Sequence, residues 1–254
     1  MKPIHAFAAA ALAAFSLGAH AVGRLADLSI LDRSTGRELP VYWHEGRAYV
    51  VGRPGNEYQV SVRSRSGEDL LAVVSVDGVN VMSGETARPR QGGYVVSPRN
   101  RVDIRGWRKT MDEIAAFYFT SLGDSYAART GRPDDVGVIG AAIFERKREA
   151  AAASPPSPLA DRAPELKSEA REMARGNSAP EATLRAPLPA APLGTGHGRR
   201  EESRVRWVSF ERASDAPAET IAIYYDSYRN LVARGILRSR DPDPFPGAFV
   251  PDPC

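Results

Sequence analysis

Cysteine is almost absent from the chain: the only one is Cys254, which reads as a frayed thiol or as a bridge between copies. With no internal disulfide, an exported fold must rest on its apolar core. A cysteine-rich structural zinc site is excluded as well. Histidine is scarce, with four in all, and two of these (His5 and His20) fall in the first 21 residues. His44 and His197 cannot make a three-histidine metal centre within one chain, so we expect neither a metal nor a cofactor. Charge of one sign is also lacking. Lys+Arg number 34 against 31 Asp+Glu, and losing Lys2 with a leader would leave 33 against 31. That balance gives no reason to expect nucleic acid as a partner.

A long apolar run is missing too. The longest, in "MKPIHAFAAAALAAFSLGAHA", covers about 14 residues, short of the roughly 20 that cross a bilayer. Lys2 precedes it, and Ala19-His20-Ala21 is a small-x-small cleavage pattern. Residues 1–21 therefore read as a signal peptide cut after Ala21, with no membrane span left afterwards. The expected location is periplasmic or extracellular.

Residues 148–195 contain no Phe, Trp, Tyr, Ile or Val, but 13 Ala and 8 Pro. Such a stretch cannot bury enough apolar surface to offset its ordering entropy, and it reads as a disordered Ala/Pro-rich linker. On either side the pattern is that of strands. "RLADLSILDR", "YWHEGRAYVV", "NEYQVSVRS" and "LLAVVSVDGVNV" alternate or run apolar. In the last of these, Asp77-Gly78 is a hairpin corner. It sets Val76 opposite Val79 and Val74 opposite Val81, leaving Ser75 and Asn80 on the other face. Such a ribbon cannot stand alone, so a second layer must cover its valines. Asp77 needs no role beyond its turn, although an acid or a calcium ligand is the sharper alternative.

Further on, "YVVSPRNRVDI" suggests two strands. In "TMDEIAAFYFTSL" a Thr110–Glu113 capping box competes with strand formers, and we favour a strand over about 115–121. "DSYAARTG" and "YRNLVARG" suggest short helices. "VGVIGAAIFERK" reads as a strand covered on both faces, and "SRVRWVSFERA" and "TIAIYYDS" read as strands. The expected fold is mainly β, an antiparallel β-sandwich with one or two short helices and a long disordered insert. Residues 22–147 form its first part. Residues 196–254, too few to fold alone without disulfides, dock on that part.

Two basic stretches are candidate binding sites. The first holds Arg99, Arg101, Arg105, Arg108 and Lys109 around Trp107, which fits either an exposed stacking platform or a core residue. The second is "GTGHGRR", where His197 stands among alternating glycines before Arg199 and Arg200. It suits either an anion nest or a flexible entry from linker to strand. His44 reads as a turn residue. Ser125 or Ser227 with His197 and Asp124 or Asp226 would be hydrolase candidates, but no Gly-x-Ser-x-Gly elbow is present. The repeated Asp-Ser-Tyr, at 124–126 and 226–228, is explained by helix capping.

The stretches "VVSVDGVNVMSGETA", "GYVVSPRNRVDIRGWRK", "FTSLGDSYAARTGRP", "VGVIGAAIF", "LGTGHGRREES" and "YDSYRNLVARGI" resemble an uncharacterised family of secreted, β-rich proteobacterial proteins. The resemblance implies export and a linker between two related blocks. It implies no activity, cofactor or catalytic residue. The leading expectation is an exported, non-enzymatic binding or structural module of the bacterial envelope. Its exposed arginines would hold an acidic protein or polysaccharide. The alternatives are a secreted hydrolase using His197 and a self-assembling surface protein.

Overall fold

The structure is a computed structural model that describes residues 22–148 and 191–239. The expected signal peptide, most of the expected linker, and residues 240–254 with Cys254 lie outside the described residues.

The protein is mainly β, as expected. Before the Ala/Pro stretch come β1 (Ala26–Asp32), β2 (Arg37–Glu38), β3 (Tyr42–His44), β4 (Arg47–Val51), β5 (Glu57–Ser64), β6 (Leu70–Val76) and β7 (Val79–Asn80). They are followed by β8 (Tyr94–Val96), β9 (Arg101–Ile104), β10 (Gly106–Arg108), β11 (Glu113–Ser121), the short helix α1 (Tyr126–Arg129) and β12 (Val138–Glu145). After it come β13 (Leu193–Glu202), β14 (Glu219–Asp226) and α2 (Tyr228–Ala233).

These strands make two sheets. The first runs β10-β11-β5-β1-β2, with β13 also on β11 and β9 also on β5. The second runs β3-β4-β14-β12-β6-β7, with β8 on β6. All pairs are antiparallel except β4 with β14, which are parallel. The chain beyond residue 190 is therefore woven into both sheets: β13 lines β11, and β14 sits between β12 and β4. One continuous core includes Leu28, Val60, Phe117 and Phe119 from the first sheet with Val74, Val76, Ile139 and Ile223 from the second.

The Asp77-Gly78 corner has the expected register, Val76↔Val79 and Ser75↔Asn80. Asp77 (φ 52°) and Gly78 (φ 70°) are both left-handed, as a tight type I′ turn requires. Val74, Val76, Val79 and Val81 are all buried. At 110–121 the strand prevails. Thr110 Oγ1 does accept from Asp112 N and Glu113 N, but the chain then enters β11, where Ile114, Phe117 and Phe119 are buried. Ser125 and Ser227 each cap their helix, accepting from Ala128 N and Asn230 N at 3.2 Å. That accounts for the repeated Asp-Ser-Tyr.

Three expectations need correction. The stretch 148–195 is not linker throughout, because β13 begins at Leu193 with Leu193, Gly194 and Thr195 buried. Nor is "GTGHGRR" a flexible entry or a nest of free backbone; it is strand. Its glycines allow close packing. A methyl group at Gly196 would overlap the Tyr118 ring, and one at Gly194 would overlap Ser125 and Val136. Conversely, "SRVRWVSFERA" is not a strand. It leaves β13 and crosses the outer face of the second sheet as an extended arch. Val205 N donates to Met111 O and Lys147 N to Glu211 O. Phe210 covers a small outer cluster of Leu71, Val73, Ala142 and Phe144, and the Arg212 guanidinium lies 4.2 Å from the Phe144 ring. This arch covers the second face of β12. Trp207, at its crest, is 81% exposed.

Candidate anion-binding site

Three segments far apart in sequence meet beside β13. The strand registers set His197 opposite Phe117 and Trp107 opposite Ala115. The His197 ring lies 6.2 Å from that of Trp107, nearly parallel at 10°, and 5.2 Å from the Tyr126 ring. Tyr126 is held there because Ser125 caps α1 at that residue. Lys109 Nζ lies 5.2 Å from the centre of the Tyr126 ring, within cation–π range.

The electrostatics at this place are one-sided. The His197 pKa lies below the usual histidine value. Burial is the main cause; Lys109, Arg200 and Arg129 add repulsion, and a hydrogen bond to its own backbone opposes them. The Lys109 ammonium is also pulled down, first by burial and then by Arg200. Lys109, Arg129, His197 and Arg200 thus form one basic cluster on an aromatic floor. Among the described residues only Arg200 has a carboxylate partner, Glu113 at 3.4 Å. A bound anion would relieve that repulsion and accept charge-assisted hydrogen bonds.

The cluster joins one part of each expected basic stretch and leaves the remainder elsewhere. Arg101 sits opposite Arg63 on β5 and is tied to Asp103 at 3.1 Å. His197 lies opposite Phe117, which pairs with Tyr58 towards the other end of β5. Five residues of strand separate Tyr58 from Arg63, about 17 Å. Arg99 is in the exposed turn before β9, with a left-handed φ of 57°. Arg105 donates to Glu202 O at 3.1 Å, and Arg108 to Ser203 O and to Tyr94 OH. Trp107 is fully buried and has no open face for stacking with a partner. It is the floor under His197 instead.

Arg199 is also committed. It bonds Glu57 at 2.8 Å and Glu201 at 2.8 Å, and Arg33 reaches the same two carboxylates at 3.0 Å. This alternating ring of two arginines and two glutamates ties β13 to β5 and the end of β1. Arg129 was missed in the sequence. Its only cue was position, in the last turn of a short helix whose place beside His197 is a tertiary fact.

Among the described residues, the serines of the hydrolase reading are engaged in helix capping. The Ser125 hydroxyl donates to Leu122 O at 2.7 Å and caps α1; Ser227 caps α2. His197 faces rings and cations rather than either serine. His44 lies 3.9 Å from Glu45 at its turn. No group of three or more His, Cys, Asp or Glu is placed to hold a metal among the described residues. Nor is any helix there long and apolar enough to cross a membrane.

A second polar cluster lies in the interior and was not foreseen. Asp77 is fully buried. Its Oδ1 accepts from Tyr225 OH at 2.6 Å and Gly137 N at 3.0 Å, and its Oδ2 accepts from Thr195 N at 2.8 Å. Thr195 Oγ1 lies 2.7 Å from Tyr225 OH and 2.6 Å from Tyr58 OH. One direction satisfies the whole chain: Tyr58 donates to Thr195, Thr195 to Tyr225, and Tyr225 to the carboxylate. Burial nonetheless pushes the Asp77 pKa up to about 6, against these hydrogen bonds. With no solvent face, the cluster clamps the two sheets together through their centre.

No protein-family model, curated protein or solved structure matches the chain.

Proposed function

We propose that this is an exported, non-enzymatic binding module of the bacterial envelope. It holds an acidic protein or polysaccharide through Lys109, Arg129, His197 and Arg200. The observation that supports this reading is the convergence of four basic groups from three segments with a single carboxylate among them. Elsewhere on the same sheet, Arg199 and Arg101 are each paired with carboxylates. A basic cluster left uncompensated costs stability, which an anionic partner would restore.

The test is retention of the protein on an immobilised sulfated polysaccharide under a rising salt gradient. The wild type is expected to bind and to elute with salt. The Lys109→Glu/Arg129→Glu variant is expected to pass unretained, and an Arg101→Glu variant to behave like the wild type. Equal retention of all three would refute the reading.

A further inference from the structure

In the second sheet, β14 is covered unequally on its two sides. Against β12 it is paired without interruption from Val138↔Tyr224 to Ile143↔Glu219. On its other side β4 runs alongside only from Ile223↔Ala48 to Asp226↔Val51. Before Ala48 the chain turns away through Glu45 and Gly46, both left-handed (φ 48° and 73°). Residues 219–222 are therefore a free strand edge among the described residues. Tyr225 N donates to Gly137 O on the β12 side, and Gly52 N donates to Asp226 O on the β4 side. Backbone groups alternate along a strand, so Thr220 and Ala222 turn theirs to the free edge. The Ala222 carbonyl belongs to the last rung with β4. The N–H and C=O of Thr220 and the N–H of Ala222 have no partner among the described residues.

A cavity of about 290 Å³ lies over this edge, walled by Val22 and Gly23 on one side and by Trp43, Gly46 and Arg47 on the other. The first wall is fixed by Glu219, whose carboxylate accepts from Arg24 N and Leu25 N, both at 2.6 Å. In the second wall Trp43 is 56% exposed. The Arg47 guanidinium is also exposed, 5.4 Å from the centre of the Tyr224 ring, with no carboxylate partner among the described residues. Trp43 stands opposite Ala48 and Arg47 opposite His44, so the two side chains leave opposite faces of the β3–β4 ribbon.

Open strand edges are usually blunted by proline, lysine or a bulge. Residues 219–222, "ETIA", carry none of these. A row of donor, acceptor and donor matches a peptide backbone. We propose that this edge is a peptide-binding site, where an extended acidic segment of a partner protein takes the place that β4 vacates. A backbone N–H of the segment donates to Thr220 O, and its carbonyls accept from Thr220 N and Ala222 N. Successive side chains alternate faces, so an acidic one meets Arg47 while its neighbour, aromatic or aliphatic, lies on Trp43. The main-chain bonds supply affinity, and the Arg47 and Trp43 contacts supply specificity. Four residues, about 13 Å, span the edge.

The test begins with a heptapeptide phage library panned on the folded protein; the enriched peptide is then synthesised as the probe. It is expected to carry an acidic residue next to an aromatic or aliphatic one. Amide exchange read by NMR should show Thr220 and Ala222 exchanging fast in the free protein, against slow Ile221 and Ile223. Both fast amides should become protected when the peptide is added. N-methylation of the peptide's central amide should weaken binding about tenfold, as one lost main-chain bond does. Trp43→Ala and Arg47→Glu, at exposed positions, should each weaken it by a similar factor with the urea midpoint unchanged. Failure to enrich any peptide would overturn the proposal, as would a peptide that binds without protecting Thr220 and Ala222. Protection of these two amides in the free protein would overturn it too. The Lys109→Glu/Arg129→Glu variant should bind the peptide like the wild type, so this test and that of the basic cluster stand or fall separately.

Discussion

The Tyr225 hydroxyl donates to Asp77 Oδ1 across 2.6 Å, joining a hairpin corner to a strand 148 residues further along the chain. Thr195, in the first sheet, donates its N–H to the other carboxylate oxygen. One buried carboxylate therefore holds both strands that follow the Ala/Pro stretch.

Stability should carry the titration of this group. The Asp77 pKa is raised by burial to about 6 from an unfolded value of 3.8. The folded state thus binds the proton more tightly, so the contribution is fully present below pH 3.8 and is lost as pH rises through about 6. Between about pH 5 and about pH 7.5 the loss is on the order of 1 kcal/mol. Urea unfolding at both pH values should show this component in the wild type and not in Asp77→Asn. The variant should also be less stable throughout, because its amide nitrogen faces a donor. An identical pH dependence in both proteins would contradict the assignment.

The hydroxyl relay makes a second prediction. Thr195→Val keeps the backbone bond to Asp77 but strips Tyr58 of its acceptor and Tyr225 of its donor. An unsatisfied buried group costs about 1–3 kcal/mol. Thr195→Ser should cost well under half as much as valine, as read by denaturant midpoint. A serine loss as large as the valine loss would contradict the role given to the hydroxyl.

Gly196→Ala tests the packing of β13. The new methyl group overlaps the Tyr118 ring, and overpacking of this kind costs about 1–3 kcal/mol. Replacing Tyr118 by leucine should remove most of the penalty, so the two changes should be non-additive in a double-mutant cycle.

Much of the strand order was legible because its code is local. Asp77-Gly78 between alternating valines specifies a turn and a register from ten residues. The burial of the Asp77 carboxylate was not legible, because its donors Gly137, Thr195 and Tyr225 lie 60, 118 and 148 residues away. The glycines of "GTGHG" read as loop because glycine weakens strands, whereas here Tyr118 and Ser125 occupy the space a side chain would need. "SRVRWVSFERA" alternated like a strand, yet its path across the outer face lets it pair only at its end, where Arg212 bridges Arg146 just past β12. The site was half legible. Lys109, His197 and Arg200 stood in the two basic stretches, but which arginines were already neutralised depended on Glu57, Glu113 and Glu201 arriving from other strands.

The measurement that tests the account most directly is the NMR titration of His197, with and without a sulfated oligosaccharide. Without ligand, its pKa should lie below that of a free histidine, and Lys109→Glu should raise it by removing one repelling charge. Added ligand should raise it further in the wild type, with a larger effect at low salt. A His197 pKa that moves neither on adding the oligosaccharide nor in Lys109→Glu would contradict the account.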